Sequence, residues 1–144
     1  MGRLKIEMPS QQLASVTIPV RISDINYGNH VGNDAFVSII HEARLQWLIK
    51  NNYTELNFAG TSLIMSEIAI EFKNESFYGD TINITIYVGE ISRVSFELFY
   101  TLSTQRDSMD FLLANAKTGM VCYNYETKKT VSIPDEIKKL ISTS

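Results

Sequence analysis

The sequence predicts an α+β domain in which a curved antiparallel sheet wraps one long helix. Two observations carry that prediction. One unbroken helical pattern, DAFVSIIHEARLQWLIK at 34–50, is followed by segments whose apolar period falls to two. A polar loop, SDINYGNHVGND at 23–34, separates this helix from a short β-branched run before it. The 144 residues, 44% of them hydrophobic, suffice for one domain with a substantial core and are too few to predict two. The whole chain, 1–144, is therefore taken as a single domain.

The first run, VTIPVRI at 16–22, has Pro19 inside it and predicts an edge strand, where a missing N–H is tolerated. The helical segment contains neither Gly nor Pro. Its Phe36, Ile40, Ala43 and Trp47 recur at helical spacing, and Ile39 and Leu48 widen the stripe. So wide a stripe predicts a largely enclosed helix, with Asp34, Ser38, His41, Glu42 and Leu45 left on a narrower strip. Asn33 or Asp34 is placed to cap it.

Beyond a loop through Gly60, strands are predicted at 63–72, 81–91, 95–103 and 111–124, and a short helix at 134–141. In TINITIYV the residues Ile82, Ile84, Ile86 and Val88 share one face and Thr81, Asn83, Thr85 and Tyr87 the other, as in a strand packed on one side. Tyr78-Gly79-Asp80 and Gln105-Arg106-Asp107-Ser108 supply the turns. A sheet wrapped round one helix leaves strand edges uncovered, which predicts pairing of two copies.

Thirteen Lys and Arg stand against sixteen Asp and Glu, a net charge of -3, which argues against a nucleic-acid footprint. The single cysteine, Cys122, has no partner for an internal disulfide, and the two histidines offer no zinc-ligand spacing. No apolar run approaches the roughly 18 residues of a membrane span. The opening residues lack the apolar core of a signal peptide. Met1-Gly2-Arg3 begins like a myristoylation site, but Ile6 stands where Ser or Thr is required. These features predict a cytoplasmic protein that binds neither nucleic acid nor membrane, and uses neither metal nor cofactor.

The polar loop carries more chemistry than a chain reversal needs, since Asp24, His30 and Asp34 can all move protons or orient a ligand. Each also has a plainer role: Asp24 in an Asx turn, His30 as a loop linker, Asp34 as a first-turn acid on the helix dipole. Three stretches carry a resemblance: VRISDINYGNHVGNDAFVSIIHEAR, EFKNESFYGDTINITIYV and ANAKTGMVCYNYETKKTVSIP. In order and spacing, over about residues 14–140, they resemble the hotdog-fold acyl-CoA thioesterases of the 4-hydroxybenzoyl-CoA thioesterase-like family.

That resemblance implies a hotdog fold, hydrolysis of an acyl-CoA or acyl-carrier-protein thioester, and a site at the seam of a homodimer, alone or within a homotetramer. Coenzyme A would be part of the substrate. In that family a second acid commonly follows the first by two residues and acts as base or nucleophile. Here the first acid is Asp24 and the second position is Asn26, whose amide cannot take a proton near neutral pH.

The catalytic set implied is therefore Asp24, Asn26, His30 and Glu42. Glu42 or Asp24 directs a water and Asn26 orients water or carbonyl, with His30 or His41 as a polar partner and backbone amides of 28–32 holding the oxygen. Tyr27, Gly28 and Asn33 are expected to touch substrate, and Arg93, Ser95 and Lys117 to meet the nucleotide end of coenzyme A. Two rivals remain: a non-catalytic acyl-CoA or acyl-carrier-protein binding module, and an enoyl-thioester hydratase or dehydratase using His30 with Glu42.

Overall fold

The computed structural model describes residues 4–142, so Met1-Gly2-Arg3 and its resemblance to an acylation signal lie outside the described residues. The chain runs β1 (Gln12–Pro19), one 3-10 turn (Ile22–Asp24), α1 (Asn33–Lys50), β2 (Ser62–Phe72), β3 (Thr81–Ile91), β4 (Ser95–Arg106), β5 (Met109–Asn124), β6 (Lys129–Thr130) and α2 (Asp135–Ser142). All strand pairs are antiparallel, in the order β1-β3-β4-β5-β2, with the two-residue β6 attached to β5. Irregular register within four of these pairings, such as Met65/Glu67 and Val88/Ile91, bends the strands so that the sheet can follow the helix.

The expected fold class is the one found, with boundary corrections. The first strand lies on an edge as predicted, but it begins at Gln12 and stops at Pro19, whose ring nitrogen cannot donate to the ladder. The residues after it wind into the 3-10 turn instead of continuing to Ile22. The helix starts at Asn33, with Gly32 in the extended cap position, so neither Asn33 nor Asp34 is the cap.

Burial follows the predicted periods. Phe36, Ile39, Ile40, Ala43, Trp47 and Leu48 of α1 are buried and join one apolar cluster with Ile82, Ile84, Ile86 and Val88 of β3. Leu98, Tyr100 and Leu102 of β4 extend that cluster, and Ile137 and Ile141 of α2 close its end. Cys122 is buried within it, and burial pushes its thiol pKa up, which suits a small core residue. The β4–β5 hairpin turns through Asp107 and Ser108, whose φ values of 50° and 65° give the left-handed two-residue turn that strand twist favours.

One ion pair fastens the sheet's far end. Asp80, in the turn before β3, accepts from Arg106 Nη2 at 2.6 Å and Nε at 3.0 Å, and also from the Ser76 hydroxyl and the Phe77 N–H. The guanidinium is sandwiched between Phe77 and Phe111, its carbon 5.1 and 5.0 Å from the ring centroids. Bonding to Arg106 holds the Asp80 carboxyl down at about 2, against the opposing effect of burial. A depressed acid stabilises the fold above its unfolded value near 4, and that contribution disappears as pH falls towards 2. Asp80→Asn is expected to cost about 2 kcal/mol at pH 7, and urea unfolding should show the gap to wild type closing between about pH 4 and pH 2.

Candidate functional site

The loop between the 3-10 turn and α1 is a miniature hairpin. Ile25 and Val31 form an isolated antiparallel bridge, the Asn26 N–H donates to the His30 carbonyl at 2.9 Å, and Asn29 sits at a φ of 66°. The Asn26 side chain builds this loop: its Oδ1 accepts the Gly28 N–H at 2.9 Å and the His30 N–H at 3.4 Å. A Cβ at Gly32 would lie 2.6 Å from Asp34 Oδ1, so a larger residue there needs the Asp34 side chain to swing aside. With glycine at the cap, no side chain caps α1, and the first-turn N–H groups keep their donor capacity.

Asp24 is buried. Its Oδ2 accepts the Arg21 N–H at 2.8 Å and its Oδ1 the Arg21 Nη2 at 3.4 Å, while the Gly32 N–H donates to its backbone carbonyl at 3.1 Å. The carboxylate thus fixes the start of the loop and the backbone carbonyl its end, and Asp24 still borders a cavity of about 400 Å³. Across that cavity lie Ser38, His41, Glu42 and Leu45, the polar strip anticipated on α1, with Ile18, Ile39 and Gln46 completing the wall. Glu42 Oε2 accepts from Gln46 Nε2 at 2.8 Å, and its other oxygen has no hydrogen-bond partner among the described residues. Two of the expected acids thus face one space.

The others lie elsewhere. His30 and Asn33 border a separate cavity of about 200 Å³ with Phe72, Lys73 and Glu75, and His30 Nε2 is 3.9 Å from Glu75 Oε2. His30 and Glu42 are therefore not assembled in one cavity, because the loop's hairpin turns the imidazole towards the β2–β3 connection. Tyr27 is fully exposed, and Gly28 lies at the same exposed tip.

Ser95 opens onto a groove of about 470 Å³ lined by Glu67, Glu90 and Glu97. Lys117 is held by Glu97 at 3.0 Å and Glu67 at 3.7 Å, and the bond to Glu97 pushes its pKa up. Arg93 is exposed and donates to the Ser132 hydroxyl at 3.2 Å.

Two contributors were not singled out from the sequence. Arg21 is the partner of Asp24, and the spacing R-x-x-D over a turn is the signal that would have found it. Glu55, in the loop before β2, reaches His41 at 2.7 Å and buried Arg44 at 3.4 Å. Nothing local marks Glu55, because its partners are eleven and fourteen residues away. His41, Arg44 and Glu55 line a further cavity of about 290 Å³ with Val37, Ser38, Met65 and Ile68. Among the described residues no cluster of His, Cys, Asp and Glu could hold a metal ion, and no helix is long and apolar enough to cross a membrane.

Solved structures of the same shape are numerous. A 1,4-dihydroxy-2-naphthoyl-CoA thioesterase from Synechocystis is 22% identical with a TM-score of 0.79, covering 89% of this chain and 94% of its own. A putative thioesterase from Pseudomonas aeruginosa is 22% identical with a TM-score of 0.82, covering 91% and 99%. A 4-hydroxybenzoyl CoA thioesterase, solved as an aspartate-to-asparagine mutant complexed with 4-hydroxybenzoyl CoA, is 15% identical with a TM-score of 0.81, covering 92% and 99%. At these identities the likeness establishes the hotdog fold. No curated protein matches the chain. The family model described as the thioesterase-like superfamily matches residues 20–141. This chain therefore belongs to the thioesterase-like superfamily, and the activity class that membership gives is thioester hydrolysis.

Proposed function

We propose that the protein hydrolyses an acyl-CoA, or the same acyl group on an acyl-carrier protein, in the cavity that Asp24 and Glu42 share. The observation that carries this reading is that shared cavity: two carboxylates line it, one fixed by Arg21 and one with an oxygen unpartnered among the described residues. Asp24 is committed to Arg21 and anchors the loop. Glu42, with one oxygen unpartnered among the described residues, orients the attacking water. Asn26 acts through the shape of the loop and takes no proton.

The molecule works as a homodimer, alone or within a homotetramer, in the cytoplasm. Supporting this are the unpaired outer edge of the eleven-residue strand β2 and the exposed Val37, Met65 and Phe72 beside it, together with a lone buried thiol. The nucleotide end of coenzyme A meets the β3–β4 turn through Arg93 and Ser95. Lys117 contributes only when it leaves its two carboxylates. His30, Tyr27, Gly28 and Asn33 form the loop's outer surface, where the pantetheine arm or a carrier protein passes.

Thiol release from short, long and aromatic acyl-CoAs checks the assignment. Glu42→Gln is expected to lower kcat at least tenfold with the fold and assembly intact. Asp24→Asn, which keeps its acceptor to the Arg21 N–H, should act less on kcat and more on KM.

The second reading, a binding module without hydrolysis, is favoured by one observation: the amide at position 26 is bonded into the loop. Asn26→Asp separates the two. Under the hydrolase reading the wild type is active, and the variant, whose carboxylate can accept the same two N–H groups, changes kcat by less than about tenfold. A silent wild type that binds acyl-CoA saturably, with activity appearing in Asn26→Asp, would establish the module instead.

A further inference from the structure

His41 stands on α1 between two cavities and lines both the one shared by Asp24 and Glu42 and the smaller one against β2. Its Nε2 is 2.7 Å from Glu55 Oε1. A carboxylate only accepts, so Nε2 carries a hydrogen, and Nδ1 has no hydrogen-bond partner among the described residues.

Glu55 is itself held from two sides. Its Oε2 accepts from Arg44 Nε at 3.4 Å, and its backbone carbonyl accepts the Leu63 N–H at 2.7 Å as β2 begins. Arg44 is buried and donates to the Tyr100 hydroxyl at 3.3 Å, which shares a 2.7 Å hydrogen bond with Thr118 in the sheet interior. The series Thr118, Tyr100, Arg44, Glu55, His41 runs from the core to a half-exposed imidazole. An ion pair between Arg44 and Glu55 is enough to fasten the loop to the helix. The histidine at the end of the series adds little stability, yet it is the group that reaches the cavity wall, 49% exposed. That arrangement, a base whose tautomer and direction are fixed by a carboxylate that a buried cation anchors, is the one acyl transfer uses.

We propose that His41 is the general base of the thioester hydrolysis, with Glu55 and Arg44 as its positioning residues; the inference rests on the hydrolase reading above. The water oriented by Glu42 gives a proton to His41 Nδ1 as its oxygen bonds to the acyl carbon, and the carbonyl electron pair moves onto the oxygen. When the intermediate collapses the C–S bond breaks, its electron pair stays on sulfur, and the proton on Nδ1 passes to the departing thiolate. Acid and thiol leave, and His41 returns to its starting form with no co-reactant. The charged groups around the imidazole are Arg21 and Asp24 from the turn after β1, Glu42 and Arg44 on α1, and Glu55 across from them.

The test is thiol release by the full chain against the same acyl-CoA panel. His41→Gln is expected to lower kcat about 100-fold with KM within about threefold, and Glu55→Gln, which keeps an acceptor for Arg44, about tenfold. Added imidazole should restore part of the activity of His41→Ala and none of that of Glu42→Gln, a response that a merely structural histidine would not give. His41→Gln that is folded and retains activity within threefold of wild type overturns the assignment while leaving the hydrolase reading intact. Wild-type protein that releases no thiol from any of the substrates overturns the hydrolase reading and this inference with it.

Discussion

A helix is about 10 Å across with its side chains, whereas five strands spaced by about 4.8 Å make a sheet roughly twice as wide. One helix must nevertheless cover the inner face of such a sheet here. Three features answer that mismatch. The strands are bent at their irregular registers, α1 turns a continuous apolar stripe to the sheet, and the cluster is supplemented by Ile137 and Ile141 of α2 and by Phe58, stacked on Phe96. What remains uncovered is the side of α1 facing away from the sheet, with only eight of its 18 residues buried, so the helix is less enclosed than its sequence predicts, and polar side chains on that side line the cavities.

The same constraint explains why the two binding candidates differ in character. Asp24 belongs to the chain before the helix and is locked by Arg21, so it shapes the loop that leads into α1. Glu42 and His41 belong to the helix itself and project from the sector the sheet cannot reach. Rigid backbone with free side-chain ends is what an orienting group needs, and the rigid part is supplied by the core stripe one position further round: Ala43 and Arg44 are buried immediately after two exposed residues.

Elements with a strong period were legible in the sequence. The alternation of Ile82, Ile84, Ile86 and Val88 and the stripe of Phe36, Ile40, Ala43 and Trp47 each describe a single element, and period alone places them. Boundaries were less legible: Pro19 ends β1 because of what its nitrogen cannot do in a ladder, and Gly32, which has no side chain to mark it as a cap, takes the cap position. Among the candidate site residues, Asp24 and Glu42 could be named as acids but not paired, since only the fold sets the turn after β1 beside the third turn of α1. His30 was drawn towards Glu42 by chemistry and is separated from it by the loop's own hairpin. Glu55 was invisible, because its significance lies entirely in partners that tertiary structure supplies.

The division of α1 into a buried stripe and a cavity-lining sector also bears on how such a protein changes over generations. Ser38, Leu45 and Gln46 can be exchanged for larger, smaller or more polar side chains with few consequences for the packing of Phe36, Ile40, Ala43 and Trp47. The cavity's volume and polarity are thereby separable from folding. A lineage built on this helix can drift from one acyl group to another through single exposed substitutions, each within the stability margin of a domain its size.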